Sequence, residues 1–380
     1  MAYGIHIPTR VRFGEGVAQD LPHVLREMSA SRVIMVTDPG LKESGVAGRV
    51  EALVREACSD VGVYADVEPD PSVETVHQVA SLCREGRADV LIALGGGSAM
   101  DVAKGARVVA ELGGDLRRFA GNHAERIPGP FRTRLCAIPT TAGTGSEVTF
   151  FGVYSDWENK IKVTVTSSHL AADVALVDPL LTRSVPPNVT AASGIDVLAH
   201  ALEAYVSRQA TPFSDALAER AMELVGSSLV RAFEDGSDAS ARRDMAEASL
   251  YAGIAFNHAY LGLTHAIAAA VSGHAHVPHG VAIGICLPAV IRYNAHVCGD
   301  KYRRAAGIVA KKQGTGGSDA AEVVEKLARD IGLPSRLREV GVTKDMLAGI
   351  ARQTLVSVQL RHNPRDASEE DILSLVESLW

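Results

Sequence analysis

Side chains able to bind a metal ion are concentrated in one part of this 380-residue sequence. Asp196 and His200 are four residues apart, which puts a carboxylate and an imidazole on the same face of a helix. Five of the 13 histidines fall within 258–279, and composition does not explain that clustering. His265 lies in the apolar stretch LGLTHAIAAAV, where an unpaired imidazole is costly to bury, and His279 starts the next helical pattern. One aspartate and three histidines suit a divalent transition metal, whereas the alternative is a hydrogen-bonded core histidine beside a solvated loop.

A glycine-rich turn in the sequence is a candidate phosphate-binding site. Leu94-Gly-Gly-Gly-Ser98 follows the apolar run DVLIAL and precedes a helical pattern at 99–111. Glycines there let backbone N–H groups approach a phosphate, and the helix N-terminus adds a partial positive charge. Ser98 is predicted both to cap that helix and to donate to the phosphate. The turn matches neither G-x-G-x-x-G nor the Walker loop, so an ordinary capped glycine turn is the alternative.

Two further segments follow strand patterns in the same half of the chain. PTTAGTGSE at 139–147 comes after a predicted strand at 135–138, and Asp38 ends a predicted strand at 32–38. Loops at the carboxyl ends of neighbouring parallel strands form one ligand-binding rim. An acidic residue at the position of Asp38 accepts hydrogen bonds from an adenosine ribose and repels a 2′-phosphate. The alternative for Asp38-Pro39-Gly40 is a simple turn.

The positions of the elements predict the fold class. In the first half, strand patterns alternate with helical patterns of 10–15 residues, which indicates βαβ units and a parallel sheet flanked by helices. The strands are predicted at 32–38, 61–67, 89–94 and 135–138 and the helices at 41–57, 72–86 and 99–111, with further extended segments at 149–154, 160–165 and 174–177. From residue 185 the patterns are helical, at 190–207, 213–232, 239–257, 260–272, 280–295, 301–312 and 319–331, with a loop at 314–318. We therefore predict an α/β domain over 1–184 and an all-α domain over 185–380.

Composition excludes several classes of protein. The hydrophobic fraction is 47%, the charged fraction is 22% and the net charge is −7, as in ordinary globular chains. A mildly acidic chain has no general electrostatic attraction to nucleic acid or to an anionic membrane. The longest apolar segment, 281–291, is too short to span a membrane and contains Pro288. Five cysteines without C-x-x-C spacing, and an N-terminus without a secretory pattern, favour a cytoplasmic location.

Taken together, the motifs resemble those of the iron-containing (group III) alcohol dehydrogenases. The resembling segments follow the family's order over essentially the whole chain: GGGSAMDVAK (95–104), PTTAGTGSEVT (139–149), ASGIDVLAH (192–200), LGLTHAIAAAVSGHAHVPHGVAIGICLPAVIRYN (261–294) and NPRDASEEDI (363–372). The resemblance implies an enzyme with an NAD(P)-binding α/β domain and a helical metal-binding domain. It also implies a homodimer that acts on a small molecule.

The resemblance assigns roles to individual residues. The metal ligands would be Asp196, His200, His265 and His279, and the usual metal is Fe(II), although zinc, manganese or cobalt suits the same ligands. The pyrophosphate would lie against Gly95, Gly96, Gly97 and Ser98, while Thr140, Thr141, Thr149 and Lys162 would line the cofactor, and we place Asp101 and Thr144 in the same cofactor-binding set. An acidic residue at the position of Asp38 goes with a preference for NAD(H) over NADP(H).

One position departs from the family pattern. Members commonly have a second histidine four residues after the third ligand, and here that residue is Ala269. We predict that His274 takes over the proton transfer, with His276 as second choice and Lys162 as a further catalytic residue. Gly273 would let the chain fold back toward the metal. The alternative is that His274 is a solvent-exposed loop residue.

The predicted reaction is hydride transfer between NAD(H) and a primary alcohol/aldehyde pair, running as aldehyde reduction. The bound metal acts as a Lewis acid and the nicotinamide carries the hydride. A glycerol-dehydrogenase-like or dehydroquinate-synthase-like enzyme is the nearest alternative, and a catalytically inactive metal or nucleotide sensor is a more distant one. The chain has no G-x-S-x-G motif, which argues against a serine hydrolase.

Overall fold

The structure is a computed structural model that describes residues 2–121, 124–159, 161–313 and 319–380. The chain folds into two compact units. The first, the α/β unit, contains 6–141 and 146–182; the second, the helical unit, contains 183–380, the stretch 142–145 and the N-terminal residues up to Ile5. The domain limits predicted above, 1–184 and 185–380, stay a prediction.

The α/β unit is built on a parallel sheet whose strand order is β1-β8-β5-β4-β2-β3. The strands of this sheet are β1 (Arg10–Phe13), β2 (Arg32–Val36), β3 (Asp60–Tyr64), β4 (Val90–Gly95), β5 (Arg134–Pro139) and β8 (Val174–Val177), and β6 (Phe151–Asp156) pairs with β7 (Ile161–Thr166) in an antiparallel hairpin. All six residues of β4 are buried, as expected for a strand covered on both faces. The predicted parallel sheet with flanking helices is confirmed.

Helices cover the sheet, and the strand order indicates at which edge a ligand would bind. They are α1 (Leu21–Glu27), α2 (Pro39–Glu43), α3 (Val46–Arg55), α4 (Val73–Glu85) and α5 (Gly97–Leu112). Apolar residues of α1 and α3 share one core with alternate residues of the strands, while α4 and α5 pack against each other and against β2 and β4. The strand order reverses between β2 and β4, because the chain leaves β2 for β3 and returns to β4 on the other side of β2. Open α/β sheets bind ligands at such a reversal, beyond the carboxyl ends of the strands.

Three sequence predictions about this unit are wrong in detail. Strand β1 was not predicted, so the strand that ends near Asp38 is the second in the chain. The single helix predicted at 41–57 is two helices, α2 and α3, because the chain turns at Gly45, whose φ is 75°. Ser98 does not cap α5, since the N-cap residue is Gly96 and the helix begins at Gly97.

The second unit is helical, as predicted. Its helices are α6 (Pro187–Val206), α7 (Pro212–Glu234), α8 (Ala239–Ala259), α9 (Leu263–Ala275), α10 (His279–Gln313), α11 (Ala320–Asp330), α12 (Lys344–Leu355) and α13 (Glu369–Leu379). The two helices predicted at 280–295 and 301–312 are the halves of α10, which is kinked at Cys298. The loop predicted at 314–318 lies outside the described residues.

One helix in the described part of the chain, over residues 279–311, is long and apolar enough to cross a membrane by length and composition alone. Of its most apolar 18-residue window, 56% is buried within the protein. A core helix has the same composition, so this helix is weak evidence for a membrane span.

Candidate metal centre and cofactor site

The glycine turn joins β4 to α5 at the point where the strand order reverses. Gly95 ends β4 with a φ of 153°, and a Cβ on Gly95 would be 2.7 Å from the Cβ of Ala99. A Cβ on Gly96 would be 3.1 Å from Thr141 Oγ1. The position of Gly95 therefore requires glycine, and a side chain at Gly96 would have to displace Thr141. Because Gly96 makes no side-chain cap, the first backbone N–H groups of α5, including that of Ser98, are available to an anion.

Asp38 lies beside this turn. It is the N-cap of α2, and its Oδ1 accepts a hydrogen bond from the backbone N–H of Leu41 at 3.0 Å. Its Oδ2 is 3.4 Å from the position that a Cβ on Gly95 would occupy. Thus Asp38 is a helix cap, and its second carboxylate oxygen also faces the glycine turn.

The second loop lies next to the first along the sheet edge. The backbone N–H of Thr140 donates to the carbonyl of Gly95 at 3.0 Å, which joins the ends of β5 and β4. Thr141 faces Gly96. Thr144 falls in the stretch 142–145, which belongs to the helical unit. Of the predicted cofactor-binding residues, the structure thus brings Asp38, the glycine turn, Thr140 and Thr141 together.

Asp101 and Thr149 point into a buried network rather than into open space. One carboxylate oxygen of Asp101 accepts from Ser146 Oγ at 2.9 Å and the other from the Val153 N–H at 2.9 Å. Lys104 is 1% exposed and donates to Ser146 Oγ at 2.8 Å, to Thr149 Oγ1 at 3.2 Å and to the carbonyl of Phe151 at 2.8 Å. This network ties α5 to the chain that follows the second loop.

Burial dominates the titration of this network. Burial lowers the pKa of Lys104 to about 8, although Asp101 and Glu147 oppose the shift. Burial also raises the pKa of Asp101 and raises that of Glu147 to about 7, although Lys104 favours both carboxylates. Lys104 is therefore the cation that compensates two buried carboxyl groups.

Lys162 is engaged by residues of its own unit. Its Nζ donates to Asp70 Oδ1 at 2.6 Å and to Ser155 Oγ at 3.0 Å. It also lies 5.6 Å from the centre of the Trp157 ring. Asp70, which the sequence did not single out, therefore sets the position of Lys162.

Ligand atoms of Asp196, His265 and His279 all lie within 4.8 Å of one another, and His200 is the fourth predicted ligand, close to Asp196. Asp196 and His200 are one turn apart on α6, His265 is in the first turn of α9, and His279 begins α10. Asp196 Oδ1 is 3.3 Å from His265 Nε2, 3.6 Å from His200 Nε2 and 3.8 Å from His279 Nε2. Ligand atoms at about 2.0–2.1 Å from one ion would be separated from each other by roughly 3.3 Å in a tetrahedron.

Unpaired buried atoms at this point support a cation. Among the described residues, neither Asp196 Oδ1 nor His265 Nε2 has a hydrogen-bond partner, and both atoms are buried. Leaving such groups without a partner is costly. His279 is the most open member of the set, with 36% of its side chain exposed. One carboxylate and three imidazoles fit a divalent transition metal, and this donor set leaves one side of the site accessible.

Burial and charge interactions within this cluster shift the pKa values of the candidate ligands. Burial raises the pKa of Asp196, but the three imidazoles outweigh it and hold that pKa below its usual range. Burial lowers the pKa of His200 to about 4 despite Asp196, so His200 is a neutral imidazole at pH 7. Burial also disfavours charge on His265, but Glu203 and Asp196 outweigh it and raise its pKa to about 9. A metal would bind the neutral form of the His265 imidazole.

Glu203 is the main residue of this site that the sequence reasoning missed. It is buried, and its Oε2 is 2.6 Å from His265 Nδ1. A carboxylate at this nitrogen orients the ring and leaves Nε2 for a metal. Its spacing of seven from Asp196 on α6 puts both carboxylates on one helix face, and this was the available signal.

The predicted proton-transfer histidines lie at the far end of α9. His274 is within the helix, because α9 continues past Gly273 to Ala275, so the predicted fold-back at Gly273 is wrong. His274 Nδ1 is 2.9 Å from the Ala270 carbonyl, and its Nε2 is 2.8 Å from where a Cβ on Gly349 of α12 would be. His276 is the C-cap of α9, with a left-handed φ of 53°.

Comparisons with known proteins identify the family of this chain. The model of the iron-containing alcohol dehydrogenase family matches residues 8–179, and the model of that family's C-terminal part matches residues 190–380. The chain belongs to the iron-containing alcohol dehydrogenase family. It is 33% identical to alcohol dehydrogenase 4 of Saccharomyces cerevisiae, over 99% of this chain and 98% of that protein. It is 34% identical to the NAD-dependent methanol dehydrogenase of Bacillus methanolicus, over 98% of each chain.

A solved structure supports the fold of this family member. The crystal structure of a 1,3-propanediol oxidoreductase matches with a TM-score of 0.93 and 34% identity, over 100% of both chains. This iron-containing alcohol dehydrogenase is therefore an oxidoreductase that acts on CH–OH donors, an NAD-dependent alcohol/aldehyde oxidoreductase with iron and NAD(H) as cofactors.

Proposed function

We propose that this alcohol dehydrogenase binds one divalent metal ion through Asp196, His200, His265 and His279 and reduces a small aldehyde with NADH. The observation that carries the proposal is the approach of Asp196 Oδ1 to within 3.3–3.8 Å of three imidazole nitrogens. Neither Asp196 Oδ1 nor His265 Nε2 makes a hydrogen bond to a described residue, which also supports it. Iron(II) is the proposed metal, and zinc suits the same donors.

The protein residues have distinct parts in this proposed reaction. A bound metal supplies Lewis-acid polarisation of the substrate oxygen. Glu203 holds the His265 ring through its Nδ1, so that Nε2 faces the other ligands. His279 lies at the exposed side, where a substrate has access. Bound NAD(H) would supply the hydride chemistry, and the part of the protein is to position the two reactants.

The α/β unit is proposed to bind NAD(H). Backbone N–H groups at the start of α5, with the glycines 95–97 and Ser98, would receive the pyrophosphate. Thr140 and Thr141, beside that turn, support a cofactor on the same sheet edge. We assign Thr144, Thr149, Asp101 and Lys162 to the cofactor site as well; Asp101 and Thr149 would act by fixing the chain around it, because both are engaged inside the protein.

We further propose that the enzyme acts on a primary alcohol/aldehyde pair in the direction of aldehyde reduction. We also propose that it is a homodimer with a cytoplasmic location.

The test of function is an assay of the iron-loaded enzyme with NADH against neutral, carboxylated, phosphonylated and sulfonylated aldehydes. Turnover of at least one class supports aldehyde reduction. No turnover of any aldehyde, together with oxidation of glycerol, would favour a polyol dehydrogenase instead.

Replacing Asp38 by Asn is expected to shift the cofactor preference toward NADP(H). The substitution removes the charge that faces the glycine turn and keeps an oxygen to cap α2. The ratio of kcat/KM with NADPH to kcat/KM with NADH should rise by about tenfold, which is roughly 1.4 kcal/mol. Asp38→Gly should raise the ratio as well, at a small additional cost in stability because Gly is a weaker cap. An unchanged ratio in both variants would leave Asp38 as a helix cap only.

Replacing His274 by Ala tests the proposed proton transfer. If His274 delivers the proton, turnover should fall by roughly 10²-fold while the metal content stays unchanged. The same measurement on His276→Ala tests the second choice. Wild-type turnover and a wild-type pH profile in both variants would mean that the proton travels through water and cofactor hydroxyls.

A further inference from the structure

Helix α9, which contains His265, begins at a residue that cannot cap it. Its N-cap is Gly262, which has no side chain to accept hydrogen bonds from the first N–H groups of the helix. Residues 262–265 are all buried, so water does not replace the missing cap. The backbone donors at this helix end need partners from elsewhere in the protein.

Glu203 of α6 supplies the first of these partners. Its Oε2 accepts from the Gly262 N–H at 2.9 Å and lies 2.6 Å from His265 Nδ1. Its Oε1 accepts from the Thr264 N–H at 2.6 Å. One buried carboxylate thus caps the helix and orients the imidazole that the helix presents.

Asn363, close to the C-terminus, supplies the second partner. Its Oδ1 accepts from the Leu263 N–H at 3.1 Å, across a sequence separation of 100 residues. The same oxygen accepts from Asn294 Nδ2 at 3.0 Å, and Asn363 Nδ2 donates to Asn294 Oδ1 at 2.9 Å. Both asparagines are 1% exposed. Since Asn294 is on α10, the helix that begins with His279, the contact links two ligand-bearing helices.

Two side chains approach the main chain closely at Gly262. A Cβ at that position would be 2.9 Å from Asn363 Oδ1 and 3.3 Å from Glu203 Oε1. Glycine is therefore required because two side chains from other segments approach the main chain here. The three N–H groups of residues 262–264 are all satisfied in this way.

We propose that Glu203, Asn294 and Asn363 are positioning residues that set the geometry of the metal centre. They connect α6, α9 and α10, which contain the four proposed ligands, to the C-terminal segment. None of the three is itself a proposed ligand. Groups of this kind hold ligands in place, and their loss usually costs about 10–100-fold in metal affinity. The inference rests on the proposed metal site.

The test uses the full-length protein stripped of metal and titrated with Co²⁺. Affinity is measured by competition with a chromogenic chelator, and the visible Co²⁺ spectrum reports the ligand geometry. Glu203→Gln and Asn363→Leu should lower the Co²⁺ affinity by about 10–100-fold and alter the spectrum. Asn363→Asp, which retains an acceptor for Leu263, should have a smaller effect and serves as the second variant if Asn363→Leu does not fold.

Ser228→Ala is the matched control. Ser228 is fully buried and donates to Asp244 Oδ2 at 2.6 Å between α7 and α8, so its loss is also a loss of a buried hydrogen bond. It should lower the unfolding temperature of the metal-free protein and leave the Co²⁺ affinity and spectrum unchanged. A positioning role instead reduces the rise in unfolding temperature that Co²⁺ produces.

The outcomes separate this inference from the proposed function. If His265→Ala loses Co²⁺ but Glu203→Gln and Asn363→Leu bind it with wild-type affinity and spectrum, the positioning role is wrong and the metal site stands. If the wild-type protein fails to bind one Co²⁺ per chain, the metal site itself is wrong, and the inference falls with it.

Discussion

Replacing His265 by Ala should abolish metal binding and aldehyde reduction together. His265 Nε2 is the imidazole nitrogen nearest to Asp196 Oδ1, at 3.3 Å, and no other described group pairs with it. The substitution also leaves Glu203 and Asp196 without the imidazole between them. We expect a loss in kcat/KM of more than about 10³-fold, beyond the 10–100-fold usual for residues that only orient a ligand. His279→Ala should act similarly, and metal analysis by mass spectrometry together with steady-state kinetics measures both effects.

His296→Ala is the control for these two variants. His296 is an exposed histidine on α10, the helix that begins with His279, and lies about five helical turns from that residue. Its replacement should leave metal content and turnover unchanged. Stoichiometric metal and full activity in His265→Ala and His279→Ala would contradict the proposed ligand set.

Replacing Lys104 by Met is expected to destabilise the α/β unit and to weaken NADH binding. The Lys104 ammonium compensates Asp101 and Glu147, and it donates to Ser146, Thr149 and the Phe151 carbonyl. Removing one partner of a buried ion pair costs about 3–5 kcal/mol, because an uncompensated charge remains. Urea unfolding should record this loss. The second loop loses its tie to α5, so fluorescence titration should show a raised Kd for NADH.

Two further variants test whether Lys104 stabilises the protein as the counter-ion of the buried carboxyl groups. Measured at pH 9, Lys104→Met combined with Glu147→Gln should recover part of the stability, because a buried Glu147 without its cation would resist ionising at that pH. Lys326→Met removes an exposed i,i+4 ion pair with Asp330 and should cost less than about 0.5 kcal/mol. A Lys104→Met protein as stable as Lys326→Met would show that Lys104 is not the counter-ion of this network.

Much of the metal site followed from local sequence patterns. Asp196 and His200 had to share a helix face because four residues are about one helical turn. The glycine turn before 99–111 predicted a strand end and a helix start, and the structure has both. Asp38 was assigned next to the cofactor turn from its position after a strand. Each inference used residues within one turn or one strand end of each other.

Predictions failed where a side chain's partner lies far away in the sequence. Strand β1 pairs with β8 more than 160 residues later, and its four residues have no pattern that announces this pairing. Asp101 stays a predicted cofactor residue, but no local pattern indicated that its oxygens accept from Ser146 and Val153. His274 was expected to reach the metal from a loop, but α9 continues through it.

The sequence by itself determined most of the elements, the family and the identity of the proposed ligands, because helix periodicity and motif spacing are local properties of the chain. Only the tertiary structure decided which residues orient those ligands. Glu203 reaches His265 across 62 residues and Asn363 reaches Leu263 across 100 residues. Such contacts depend on how α6, α9, α10 and the C-terminal segment pack, and no periodicity in the sequence encodes that packing.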